Sequence, residues 1–133
     1  MCCGHTQVPN RPLVFLPAKA GACVANRVTL DVIIPSFRFD GEALNRILSL
    51  PHSDNMRVTF CIVVDNPNAS DWSLSPPAGV QARVIKNPEN LGAPMSRNAG
   101  MAATQSDWIL FLDDDITPQD DLLLVFEIGR AHV

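Results

Sequence analysis

In Asp31-Val32-Ile33-Ile34-Pro35-Ser36-Phe37 an unbroken apolar run from Val32 to Ile34 is stopped by a proline. A strand with one wet face alternates apolar and polar residues, whereas a strand covered on both faces does not, so this run predicts a central strand of a mainly parallel sheet. A helix is predicted next: Asp40 is placed to cap it, Leu44, Ile47 and Leu48 form the i, i+3, i+4 stripe, and Pro51 stands just past its end. Val58 to Val64 repeats the buried-strand pattern and ends at Asp65.

Residues 66–79, rich in Asn, Ser, Pro and Gly, read as a loop with a turn of helix near Asp71 and Trp72. Val80 to Ile85 is a third, shorter strand. Gly92 then precedes Pro94 at a first helical position, and Met95, Ala99, Ala102 and Ala103 are the expected packing stripe of a second helix. Trp108 to Leu112 is a fourth strand. Thr117, Pro118 and Asp120 resemble a cap, a first-turn proline and a capping-box acid for a third helix with Leu122, Val125 and Phe126 buried. Strands alternating with helices imply crossover connections and an α/β fold of the Rossmann-like, nucleotide-binding kind.

Both ends of the chain fall outside this pattern. Residues 1–28 are expected to be a linker or unassigned segment, with a short apolar stretch from Leu13 to Leu16. Residues 128–133, Ile-Gly-Arg-Ala-His-Val, spell what one frame of a common sequencing adapter encodes, and Gly129 interrupts the helical stripe. That predicts a non-native tail, to be set aside in reasoning about the fold. Cys2, Cys3, His5 and Cys23 match no zinc-ligand spacing, and Cys61, inside a strand, is expected to be a buried free thiol.

Composition narrows the function. Hydrophobic residues make up 47% and charged residues 18% of the 133, the balance of a folding domain rather than a disordered chain. The net charge is −4, and Lys19 and Lys86 are the two lysines, so no basic stripe exists to neutralise a nucleic-acid backbone. No apolar run reaches the roughly 20 residues that span a bilayer. The expected location is the cytoplasm, or the cytoplasmic face of a membrane for a longer protein.

In parallel sheets, ligands bind outside the carboxyl ends of the strands. Three predicted ends carry notable groups: Pro35 to Phe37, Asp65 with Asn66, and Asp113 to Asp115. If the fourth strand continued to Asp115, alternation would place Asp113 and Asp115 on one side and Asp114 on the other. Two neighbouring carboxylates disfavour joint ionisation unless a cation intervenes, which points to Mg²⁺ or Mn²⁺ held with substrate phosphate oxygens. Arg97 opposes the dipole of its own helix, which points to an anion beside it, and backbone donors near Gly92 are expected to serve the same anion. Asp65 and Asn66 are placed to accept hydrogen bonds from a base or ribose.

Together, residues 31–37, Val-Val-Asp-Asn at 63–66, Asn-Leu-Gly-Ala-Pro-Met-Ser-Arg-Asn-Ala-Gly at 90–100 and Phe-Leu-Asp-Asp-Asp at 111–115 resemble the family 2 glycosyltransferases in order and spacing. The resemblance implies a GT-A domain over residues 29–127, incomplete, with the general base and acceptor-binding segments further along the chain. It also implies a nucleotide-diphosphate sugar donor, a divalent cation, an acceptor that is a glycan, lipid or protein, and inversion at the sugar. By position, Pro35, Phe37 and Asp65 would line the base pocket and Arg97 would approach the diphosphate. Asp113 or Asp114 would contact ribose or metal, and Asp115 would ligate the metal. Two positions depart from the family pattern: Asp65-Asn66-Pro67-Asn68-Ala69-Ser70-Asp71 replaces Asp-Asp-Gly-Ser-x-Asp, and Arg38 stands where Asn is common. Alternative readings are a haloacid-dehalogenase-like phosphohydrolase, since Asp113, Asp115 and Thr117 spell Asp-x-Asp-x-Thr with Asp113 as nucleophile, and a fragment that binds nucleotide without catalysis.

Overall fold

The computed structural model describes residues 27–71 and 73–131. In chain order the elements are β1 (Val28–Ser36), α1 (Gly41–Leu48), β2 (Met56–Val64), β3 (Gln81–Lys86), α2 (Ala93–Ala103), β4 (Trp108–Phe111) and α3 (Leu122–Ala131). The strands form one sheet in the order β3-β2-β1-β4. Every pairing is parallel, with Val28 opposite Met56, Leu30 opposite Trp108 and Thr59 opposite Gln81 at the start of each ladder. The chain therefore winds outward from β1 to one edge and then crosses to the other. In open parallel sheets such a reversal is where a ligand crevice forms, here outside the carboxyl ends of β1 and β4.

The two inner strands bury both faces, as their unbroken apolar runs require. On one face Leu30, Val32 and Ile34 of β1 and Val58, Phe60, Ile62 and Val64 of β2 pack with Leu44, Ile47 and Leu48 of α1 and Leu123 of α3. The opposite face carries a smaller cluster of Ile33, Cys61 and Val63, closed by Ala99 of α2 with Ile85 and Ile109. The start of α1 is fixed as expected, because the Asp40 carboxylate accepts from the Glu42 and Ala43 amides at 3.0 and 3.3 Å. Trp108 of β4 meets Phe126 of α3 edge to face at 6.1 Å.

Several sequence expectations shift. β1 begins at Val28, inside the segment read as linker. In the 66–79 loop Asp71 has no helical turn, and Trp72 lies outside the described residues. The buried stripe of α2 is Ser96 and Gly100, with Ala99 partly covered, while Met95 is 51% exposed and Ala102 is exposed. The cause is close approach: a β-carbon at Gly100 would lie 2.5 Å from Ile33 Cγ2, so only hydrogen fits between helix and β1. The third helix begins at Leu122, later than the Thr117-Pro118 signal, and runs through Gly129 to Ala131. A single glycine costs a helix about 1 kcal/mol and does not have to end it. The expectations for Leu13 to Leu16, for Cys2, Cys3, His5 and Cys23, and for His132 and Val133 lie outside the described residues. Among the described residues, no helix is long and apolar enough to cross a membrane.

At the amino end of the sheet the 2% exposed Asp31 accepts from the hydroxyls of Thr104 and Ser106, the latter at 2.5 Å. A buried carboxylate needs such donors to offset its desolvation. The pair also ties the exit of α2 to β1, which sets the height at which α2 crosses the sheet.

Candidate nucleotide-binding crevice

Four segments converge at the carboxyl edge of the sheet. Pro35, Ser36 and Phe37 end β1, Asp65 ends β2, Asn87 ends β3, and Asp113 to Asp115 follow β4. Phe37 is 52% exposed, an aromatic ring left in solvent at the mouth of the sheet.

The aspartates do not continue the strand. β4 ends at Phe111, Leu112 still donates its amide to Ile33 O at 3.0 Å, and Asp114 and Asp115 form a turn. Side-chain alternation consequently stops before the triplet: the β1–β4 ladder ends at Ile33 opposite Phe111, although β1 itself continues to Ser36 alongside β2. Contacts, not alternation, distinguish the three. Asp113 meets Arg97 Nη2 at 3.5 Å. Asp114 Oδ2 accepts from the Ser36 hydroxyl at 2.6 Å. Asp115 has no hydrogen-bond or ion-pair partner among the described residues, and it is exposed.

Asp65 is 5% exposed. Its Oδ1 accepts from Asn87 Nδ2 at 2.8 Å and the Leu91 amide at 2.7 Å, and its Oδ2 from the Gly92 amide at 2.8 Å. Burial pushes its carboxyl pKa up, but the bonds from Asn87, Leu91 and Gly92, with the Ser96 hydroxyl, outweigh that and hold it below the ordinary aspartate value. The amides near Gly92 are thus already occupied by an anion belonging to the chain, which differs from the expectation that they serve a ligand. Asp65 orders the loop in front of α2 and anchors the β2 end of the crevice. Asn66 also stabilises a loop: its Nδ2 donates to Phe37 O at 3.2 Å and its Oδ1 accepts from the Asn68 amide at 3.0 Å.

Gly92, the residue before α2, has φ of 92°, a conformation that glycine adopts without steric cost. No residue of α2 itself caps this helix and its first turn carries no acid, so beyond the Leu91 and Gly92 amides taken by Asp65 its positive end has no further side-chain acceptor among the described residues. Arg97 stands in the second turn, with its side chain 37% exposed. Its contact with Asp113 is long and solvated, worth under about 1 kcal/mol, and leaves the guanidinium available to a stronger partner.

Three further residues shape this edge. Ser36, inside the motif that ends β1, is 1% exposed and bonded to both Phe39 N and Asp114. Asn87 bridges Asp65 and Ser96, donating to each at 2.8 and 3.0 Å. Its place immediately after β3 is the signal that marks Asn87, since polar groups at the carboxyl ends of parallel strands face the ligand side. Ser96 is fully buried on a helix face where its spacing from Ala99 and Gly100 could have marked it.

Residues 31–126 match the sequence model described as Glycosyl transferase family 2. An uncharacterized glycosyltransferase of Haemophilus influenzae is 36% identical over 88 residues, which is 65% of this chain and 29% of that protein. A pre-mycofactocin glycosyltransferase of Mycobacterium tuberculosis is 31% identical over 92 residues, 68% of this chain and 18% of that protein. The chain therefore spans less than a third of the length of these curated relatives.

Proposed function

Because this chain belongs to glycosyl transferase family 2, we propose that the β1–β4 crevice holds the nucleoside diphosphate of a sugar donor, and that the whole protein transfers that sugar to an acceptor glycan, lipid or protein. The observation that carries this reading is the convergence of the Asp113–Asp115 turn, Arg97 and the open amino end of α2 on the side of the sheet where Pro35 and Phe37 offer an apolar surface. An apolar wall suits a base, and Arg97 with the helix terminus suits a diphosphate.

The donor set also suits a divalent ion. Carboxylates are hard oxygen ligands, and Asp115 is free of intramolecular partners among the described residues. Among those residues no group of three or more His, Cys, Asp or Glu forms a cage. An ion here would be held by Asp115 and Asp113, with its remaining positions filled by phosphate oxygens and water. When bound, Mg²⁺ or Mn²⁺ supplies positive charge beside the leaving diphosphate. Arg97 contributes charge of the same sign from the helix side, releasing Asp113 to do so. Attack by an acceptor hydroxyl from the opposite face of the sugar would give inversion. The reaction is assigned to the cytoplasm or the cytoplasmic face of a membrane.

The phosphohydrolase alternative is not sustained. Asp113 follows the fourth described strand, at the sheet edge, is paired with Arg97, and sits within a match to a glycosyltransferase family.

The test is calorimetry with UDP, GDP, ADP and CDP, each with and without Mn²⁺. One nucleoside diphosphate should bind in a Mn²⁺-dependent way, and Asp115→Ala should weaken it by about tenfold or more. Binding that ignores both Mn²⁺ and Asp115 would remove the basis of the assignment.

A further inference from the structure

We propose that Ser36 is a positioning residue that relays the geometry of the β1–α1 loop to Asp114 and thereby fixes that carboxylate for the nucleoside part of the ligand. The inference rests on the crevice being a nucleotide site, and it concerns how its two walls are coupled.

Ser36 Oγ accepts the Phe39 amide at 2.9 Å and lies 2.6 Å from Asp114 Oδ2. A hydroxyl has one proton, so with its lone pair engaged by Phe39 that proton goes to Asp114. Ser36 is 1% exposed, so water cannot replace either bond without the loop opening. The relay joins residues 78 positions apart, across the line where β1 and β4 separate. Its near end is unusual: Phe39 has φ of 54°, left-handed backbone that a bulky residue adopts only under constraint. The buried Phe39 ring and the bond to Ser36 hold it there. Phe37, the exposed aromatic of the base wall, is two residues away on the same loop.

Asp114 is the half-buried member of the triplet, between the exposed Asp113 and Asp115. Its Oδ1 makes no hydrogen bond among the described residues, so the relay fixes the side chain and leaves one oxygen for a ligand. Without the Ser36 hydroxyl, two flanking like charges would drive Asp114 toward water. Arg97, Asp115 and the amino end of α2 make no bond to Ser36 or Asp114, so the grip on a diphosphate does not depend on the relay.

That separation supplies the experiment, made on the full chain with Mn²⁺ present. Binding of inorganic pyrophosphate and of the tightest among UDP, GDP, ADP and CDP is measured by calorimetry for the unaltered chain, Ser36→Ala, Ser36→Thr, Asp114→Ala and the Ser36→Ala/Asp114→Ala double variant. Ser36→Ala should weaken the nucleoside diphosphate by about tenfold while leaving pyrophosphate within about twofold, and Ser36→Thr should restore it. The double variant should bind no worse than Asp114→Ala alone, because both changes break one chain of bonds. Equal loss for both probes, multiplying effects in the double variant, or unchanged binding by Ser36→Ala would each overturn the relay. Should Ser36→Ala not fold, Asp114→Ala carries the same comparison, and equal loss of both probes there overturns the proposal. If the unaltered chain binds neither probe, the nucleotide reading fails first and the relay with it. Failure of the relay alone leaves Mn²⁺-dependent nucleotide binding intact.

Discussion

A methyl group at Gly100 would have to enter space that Ile33 already fills. Its β-carbon would lie 2.5 Å from Ile33 Cγ2 and 3.3 Å from Cδ1 and Cγ1. Ile33 is fully buried on a central parallel strand and β-branched, so its χ1 is restricted and it has little room to retreat. Relief requires α2 to lift by about 1 Å from β1, which opens the small Ile33, Cys61 and Val63 cluster and carries Arg97, one turn earlier, with it. Overpacking of this kind costs about 1–3 kcal/mol, and the upper end applies where neither partner can rotate away. Replacing a helical glycine by alanine returns about 1 kcal/mol. Gly100→Ala should therefore destabilise by roughly 2 kcal/mol and lower the urea midpoint by on the order of 1 M, read from tryptophan fluorescence. In an Ile33→Ala background the obstruction is gone, and the same substitution should stabilise by about 1 kcal/mol. A change of sign between backgrounds is the signature; a neutral or stabilising Gly100→Ala with Ile33 present would refute the close-packing argument.

Asp65 supplies a pH prediction. Its folded pKa lies below the ordinary 3.8, so its contribution is present above that pH and is lost as pH falls through the lower folded value. Asp65→Asn should cost about 1–3 kcal/mol at pH 7, since an amide nitrogen would face the Leu91 or Gly92 amide, and the gap to the unaltered chain in urea unfolding should close in strong acid. An equal gap at both pH values would refute the carboxylate's role in holding the loop. Cys61 is predicted to be inert: burial raises its thiol pKa, Asp31 adds to this, and Arg83 opposes it. With Cys2, Cys3 and Cys23 changed to Ser, iodoacetamide at neutral pH should label Cys61 only on unfolding, and rapid labelling of the folded chain would contradict its burial.

Local signals carried much of this architecture. The run Val32 to Ile34, the Asp40 cap and the alternation of strand with helix are written over a few residues each, and each has a short-range cause: burial on both faces, a side-chain bond to a free amide, a crossover. The positions of Asp65 and of Asp113 to Asp115 follow from the same kind of local signal, since strand ends are visible in sequence, and that of Arg97 from the Gly92-Pro94 start of α2. Legibility failed where the cause was a partner far along the chain. The orientation of α2 depended on Ile33 lying under Gly100, which no helical period encodes.

What the sequence by itself determined is the order of the elements, the parallel sheet and the family to which residues 31–126 belong. Tertiary structure alone decided what each polar group at the crevice does. Asp65 took the Leu91 and Gly92 amides, Arg97 took Asp113, and Ser36 took Asp114, pairings that span 16 to 78 positions. A hydrogen bond depends on distances of about 3 Å and on direction, and those are set only when the strands are in register and the helices have settled on them.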